Sequence, residues 1–176
     1  MPVFITKEGR ILLGARIAKS SADLDNIRKE KAIAYHLSGD TWHDNPGFNA
    51  LEQAEHRKTL ELAEFQNILM TAELKQVDPR PIEIVDVGSI VECLQICDRD
   101  GSEKKYLFEI VGFGESDPNS KKIAYDSPVG KILMGHRIGE SDEEGVFIPA
   151  VKSICFYEIL ALHSDWPSRD AKVNLL

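Results

Sequence analysis

The sequence predicts an α+β protein, with an antiparallel coiled-coil helical hairpin over residues 1–78, an antiparallel β domain over 79–162 and a tail over 163–176. Three observations lead there. Two long segments each carry a narrow apolar stripe at spacings of three and four. A compact set of turn residues, "YHLSGDTWHDNPGF" (35–48), separates them. Beyond Pro79 and Pro81 the pattern changes to short apolar runs broken by turns, with a single helical interruption.

In the first segment the stripe is Leu13, Ile17, Leu24, Ile27 and Ala34, with Ser20 and Lys31 in its gaps. In the second it is Leu51, Leu62, Phe65, Leu69 and Ala72, with Glu55 and Lys58 at intervening positions. A 3.5-residue stripe on two successive helices is the seam of a coiled coil. Arms of about 30 residues reach roughly 45 Å at 1.5 Å per residue. Thr6 is placed to N-cap the first helix and Gly39 to stop it in the left-handed conformation. Asn45–Pro46 opens the second, because Asn caps well, Pro suits the first helical position, and Pro46 keeps Asn45 out of the helical region. The tip is therefore residues 39–45. A two-helix hairpin has no core to cover Trp42 there, so an exposed indole beside Asp40 and Asp44 is expected to enter a partner.

In the second half Pro79 and Pro81 mark a linker. Strands are expected at Ser89–Cys97, Tyr106–Val111, Lys122–Tyr125, Val146–Ile148 and Lys152–Ile159. "DSPVGKILMG" (126–135) supplies the helix, with Ser127 as N-cap and Pro128 first. Residues from Leu160 on, including Trp166–Pro167, read as an appended segment. Runs of strands with one helix make an α+β domain.

Composition narrows the function. Hydrophobic content of 43% with 28% charge fits an ordered protein with a real core. No stretch approaches the roughly 18 apolar residues of a membrane span, and "MPVFITKEGR" lacks a signal-peptide core, so a cytoplasmic protein with no membrane partner is expected. Cys93, Cys97 and Cys155 are odd in number and lack CxxC spacing, as buried reduced thiols would. The net charge of −8 argues against free DNA or RNA as the main partner. Yet residues 6–38 hold seven Lys and Arg against four Asp and Glu, and Arg28, Lys29 and Lys31 stand behind the tip. They are either a solvated face or an RNA-facing patch.

The chain resembles the Gre factors, bacterial transcript-cleavage factors that enter the secondary channel of RNA polymerase. The resemblance covers about residues 5–160. It opens at "ITKEGRILLGARI", where Thr6 and Gly9 match the family's T-x-x-G, and the interval from Thr6 to the "SGD" of the tip matches the family's arm length. "YLFEIVGFGESDP" and "IAYDSPVGKILMGHRIGE" are similar to its C-terminal signature. It implies an FKBP-like fold for the second domain, docking on polymerase through Asp126, Ser127 and Pro128, and a monomer. It also implies that tip carboxylates share Mg2+ with the polymerase active centre near the nascent RNA 3′ end, so the chain would be an accessory factor, not itself the enzyme. Carboxylates and phosphate oxygens are the ligands Mg2+ prefers, and a second metal activates water for in-line attack.

The tip departs from the family pattern. Where the family reads G-D-L-x-E-N, this chain reads G-D-T-W-H-D-N, so Asp40 and Asp44 are four apart with one residue inserted. Stimulated cleavage through Asp40 and Asp44 is the leading expectation, with Trp42 as an apolar contact in the channel. Channel occupancy without efficient cleavage, as in inhibitory relatives, is the alternative, and a coiled-coil adaptor for another protein is a third. A prolyl isomerase rests on the implied fold alone, which does not carry function. His36, Asp40, His43 and Asp44 could be read as a transition-metal set, but a bare tip offers little second shell. "VGFGES" (111–116) lacks phosphate-loop spacing and reads as a turn.

Overall fold

The computed structural model describes residues 2–167, apart from the side chains of Asp40, Thr41 and His43. Its described residues form two compact units, one of residues 2–3 and 10–72, the other of residues 4–9 and 73–167.

The first unit is two long helices, α1 (Lys7–Ser38) and α2 (Pro46–Thr71). Leu13, Ser20 and Leu24 of α1 and Phe48 and Ile68 of α2 are buried, while most other positions face solvent. That narrow seam is what a 3.5-residue stripe dictates. Its boundaries follow local chemistry. The Thr6 hydroxyl accepts the Gly9 N–H at 3.1 Å. Gly39 takes φ +54°, which frees α1 to end. Asn45 sits in extended conformation before Pro46, as a cap requires.

The second unit holds two sheets. Strands β1 (Phe4–Ile5) and β2 (Glu73–Leu74) pair in parallel. The main sheet contains β3 (Ile90–Cys97), β4 (Glu103–Val111), β5 (Lys122–Ala124), β6 (Val146–Ile148) and β7 (Ser153–His163), in the order β5-β4-β3-β7-β6. Its pairs are antiparallel except β4 with β5, which run parallel. Central β3 alternates buried and half-buried residues, as period-two patterning requires. Val91, Cys93, Cys97, Ile110, Cys155, Tyr157 and Ile159 form the core with Leu133 of helix α3 (Pro128–Leu133). Gln95 donates to the Tyr157 hydroxyl at 2.6 Å inside it, and burial pushes that phenol up to about 12.

Three expectations need correction. Strand β7 runs on to His163, because Leu162 and His163 pair with Val91 and Ile90. Residues 160–163 are therefore sheet, not an appendage; residues 168–176 lie outside the described residues. Strand β4 begins three residues early, at Glu103, because Glu103, Lys104 and Lys105, all exposed, are held by pairing with Ile96, Gln95 and Leu94 of β3. The linker after Pro79 is packed: Arg80 Nη1 donates to the Gly88 carbonyl at 2.7 Å and pairs with Glu109 at 2.9 Å, and Val85 and Val87 are buried.

Candidate functional site

Both arms build the tip. The Ser38 hydroxyl donates to the Ala34 carbonyl at 2.7 Å and accepts from Asn45 Nδ2 at 2.6 Å. Asn45 Oδ1 accepts the Gly47 N–H at 2.8 Å and the Phe48 N–H at 3.3 Å. One side chain thus caps α2 and ties it to the last turn of α1. Between them residues Gly39–Asp44 form a 3-10 helix, closed by the Asn45 N–H donating to the Trp42 carbonyl at 3.2 Å. At three residues per turn, positions 40 and 43 share one side of it, 41 and 44 a second, and 42 the third.

Trp42 is half-buried, which corrects the expectation of an uncovered indole. Its ring centroid lies 5.0 Å from Phe48 and 5.8 Å from Tyr35, and Lys31 Nζ is 5.4 Å over the Phe48 ring. Tilted and edge-on ring pairs of this kind contribute about 0.5–1.5 kcal/mol beyond area burial. Sequence reasoning missed this small core. The signal was available, since Phe48 continues the stripe three residues before Leu51.

Asp44 is exposed. The side chains of Asp40 and His43 lie outside the described residues. The backbone alone decides one point about Asp40 and Asp44, and about the set with His36 and His43: no single side of the tip helix carries both aspartates.

The basic residues behind the tip are engaged across the seam. Arg28 Nε lies 3.0 Å from Glu55, and Lys31 Nζ lies 2.9 Å from the other oxygen of that carboxylate and 3.6 Å from Glu52. The Lys31 hydrogen bond, then that of Arg28, holds the Glu55 carboxyl below its usual range, and Glu55 in turn raises Lys31. Lys29 is exposed and makes no ion pair among the described residues. Further along, Ser20 donates to Glu61 at 2.8 Å and Lys58 to the same carboxylate at 3.1 Å, which lowers Glu61.

In the second unit, the Ser127 hydroxyl accepts the Gly130 N–H at 3.0 Å and its own N–H donates to the Ala124 carbonyl at 3.0 Å. A Cβ at Gly130 would collide with that carbonyl, so the tight turn requires glycine. Pro128 is exposed, and Asp126 and Ser127 are half-buried. "VGFGES" is a turn, as expected, with the Glu115 N–H donating to the Gly112 carbonyl at 3.3 Å.

A helical hairpin with an acidic tip and a small mixed-sheet unit are joined in one chain. The family model "Transcription elongation factor, GreA/GreB, C-term" matches residues 80–161. The chain is 34% identical over 116 residues to transcription elongation factor GreA of Clostridium kluyveri, covering 64% of this chain and 70% of that one. It is 27% identical over 167 residues to transcription elongation factor GreA of Thermosipho melanesiensis, covering 91% and 96%. Among solved structures, GreA factor homolog 1 (Gfh1) of Thermus thermophilus matches with 24% identity and a TM-score of 0.42, covering 93% of this chain and 99% of that one. The chain belongs to the GreA/GreB family of transcription elongation factors.

Proposed function

We propose that this factor binds bacterial RNA polymerase, reaches through its secondary channel with the hairpin, and stimulates cleavage of backtracked RNA through Asp40 and Asp44. The observation that carries the reading is an exposed Asp44 on a short helix pinned between two arms, in a chain of the elongation-factor family. The second unit would dock through Asp126, Ser127 and Pro128, and Lys29 is the best placed of the three basic residues to meet RNA phosphate.

The tip supplies carboxylate oxygens, the donor type that Mg2+ takes alongside water and phosphate. Among the described residues no three His, Cys, Asp or Glu side chains converge. In this reading Asp40 and Asp44 hold Mg2+ jointly with ligands from the polymerase. When bound, that ion supplies charge to activate water against the phosphodiester.

The test is a stalled, backtracked elongation complex with and without the factor. RNA cleavage should rise with the factor and vanish with Asp40→Asn/Asp44→Asn, which keeps size and removes charge, while polymerase binding persists. Cleavage that survives the double substitution would overturn the reading. A second reading, channel occupancy that blocks polymerase, draws support from the placement of positions 40 and 44 on different sides of the tip helix. In that case the unsubstituted factor inhibits, and the double substitution relieves the inhibition.

A further inference from the structure

We infer that Trp42 is a positioning residue: by locking against Phe48 and Tyr35 it fixes the rotation of the tip helix, and so the direction in which positions 40 and 44 are presented. This rests on the reading of Asp40 and Asp44 as the working carboxylates.

A 3-10 helix is held by poorer hydrogen bonds than an α-helix and persists only in short pieces. The segment Gly39–Asp44 is six residues long and opens on a glycine at φ +54°, so its own backbone gives weak resistance to turning about its axis. What resists is the side carrying Trp42. The three rings come from three elements: Tyr35 from α1, Trp42 from the tip, Phe48 from α2. Phe48 is buried, and Lys31 stacks over it while bonding Glu55, so the anchor continues into the seam. Asn45 closes the other end by bridging Ser38 to the start of α2. With the side carrying Trp42 held, the backbone at positions 40 and 44 is held from turning with it. The indole is thus part of the tip's own frame.

The experiment compares Trp42→Ala, Trp42→Phe and Asp40→Asn/Asp44→Asn in the full chain. Three quantities are read: amide exchange of residues 39–45 in the free protein, polymerase affinity by competition, and cleavage against Mg2+ concentration. Trp42→Ala should lose protection of the Asn45 N–H and slow cleavage at limiting Mg2+ by about a hundredfold, the scale for displacing a reacting group by about 1 Å. Excess Mg2+ should recover part of that loss, polymerase affinity should hold, and Trp42→Phe should restore most of the activity. If the factor blocks polymerase instead, the same variants are scored on relief of the block. Unchanged exchange and Mg2+ dependence in Trp42→Ala would overturn the inference. So would a loss confined to affinity, with normal cleavage at saturating factor, which would make Trp42 a contact. If Asp40→Asn/Asp44→Asn changes nothing, the carboxylate reading itself has failed and the inference falls with it.

Discussion

Thr6 and Glu115 lie 109 residues apart in the chain and share two hydrogen bonds. The Thr6 hydroxyl donates to Glu115 Oε2 at 2.6 Å and its N–H donates to Oε1 at 3.0 Å. Thr6 Oγ1 also accepts the Gly9 N–H, so the cap of α1 is itself held by a carboxylate from the turn after β4. Both residues are buried, and a negative group at a helix N-terminus is favoured by the helix dipole. Cβ atoms added at Gly9 or Gly112 would run into the Glu115 carboxylate, which explains glycine at both places.

Glu115→Ala strands the Thr6 N–H without its acceptor, and a buried group left so costs about 1–3 kcal/mol. Urea denaturation should show that loss as a lower midpoint. Gly9→Ala should cost a similar amount by displacing the same carboxylate. Glu115→Gln, which keeps the shape, should cost less than either. A midpoint that does not move in Glu115→Ala would remove this contact from any account of stability.

The Lys31–Glu55–Arg28 cluster makes the hairpin sensitive to pH. Glu55 is lowered on folding, so its contribution is present above the ordinary carboxylate value and is lost as pH falls through the folded one. Lys31 is raised, so its contribution is complete below the ordinary lysine value and is lost as pH rises through the folded one. Partly exposed pairs of this type contribute about 0.2–1 kcal/mol each. Helix content followed by circular dichroism should melt earlier at acid pH, and Glu55→Gln should flatten that acid dependence. An equally steep acid dependence in Glu55→Gln would assign it to other carboxylates.

The hairpin was legible because its signals are local. Gly39, Asn45 and Pro46 act through their own backbone preferences, and Leu13 and Leu24 through spacing along one helix. What escaped depends on partners distant in sequence. Lys31 and Glu55 were placed along the seam by spacing, but that they pair with each other and with Arg28 shows only once the arms have folded back. Trp42 read as uncovered because its cover, Tyr35 and Phe48, comes from two helices. Glu115 was invisible as a cap because Thr6 lies at the other end of the chain. Strand β7 ran past its expected end because Leu162 and His163 are held by pairing with β3, not by a stronger apolar pattern. Of the two tip aspartates, Asp44 could be placed on the tip from its neighbours alone, whereas the sides of the helix on which 40 and 44 fall are set by three-residue turns that no spacing rule foretells.

Cys93 and Cys155 should be inert. Cys93, Cys97 and Cys155 are free and buried, and Cys97 faces Cys155 in the β3–β7 register. Burial pushes Cys93 up to about 12, and burial with the adjacent Cys97 pushes Cys155 up to about 12. At pH 8 a thiol at that value is ionised to about one part in ten thousand, and the thiolate is the reactive form. A water-soluble disulfide reagent should therefore leave Cys93 and Cys155 unlabelled in the folded protein and label all three cysteines in denaturant. Rapid labelling of Cys93 or Cys155 without denaturant would show that the core opens readily.

If the turn at Asp126–Pro128 meets a partner, docking and folding would fall on different residues within it. Ser127 carries the structural work, through its cap to the Gly130 N–H and its own bond to the Ala124 carbonyl. Ser127→Ala should cost about 1 kcal/mol of stability, the usual value of a lost cap. Pro128 is exposed, and Asp126 makes no hydrogen bond or ion pair among the described residues. Asp126→Asn with Pro128→Ala should then leave stability within about 0.5 kcal/mol, as surface changes do. If this turn meets polymerase, the same pair should weaken binding by about tenfold or more, which corresponds to about 1.4 kcal/mol. Denaturation midpoints and competition binding measured on the same preparations separate the two effects. Full affinity in the double variant would move the docking surface elsewhere on the second unit, and a collapse of stability would return these residues to the fold.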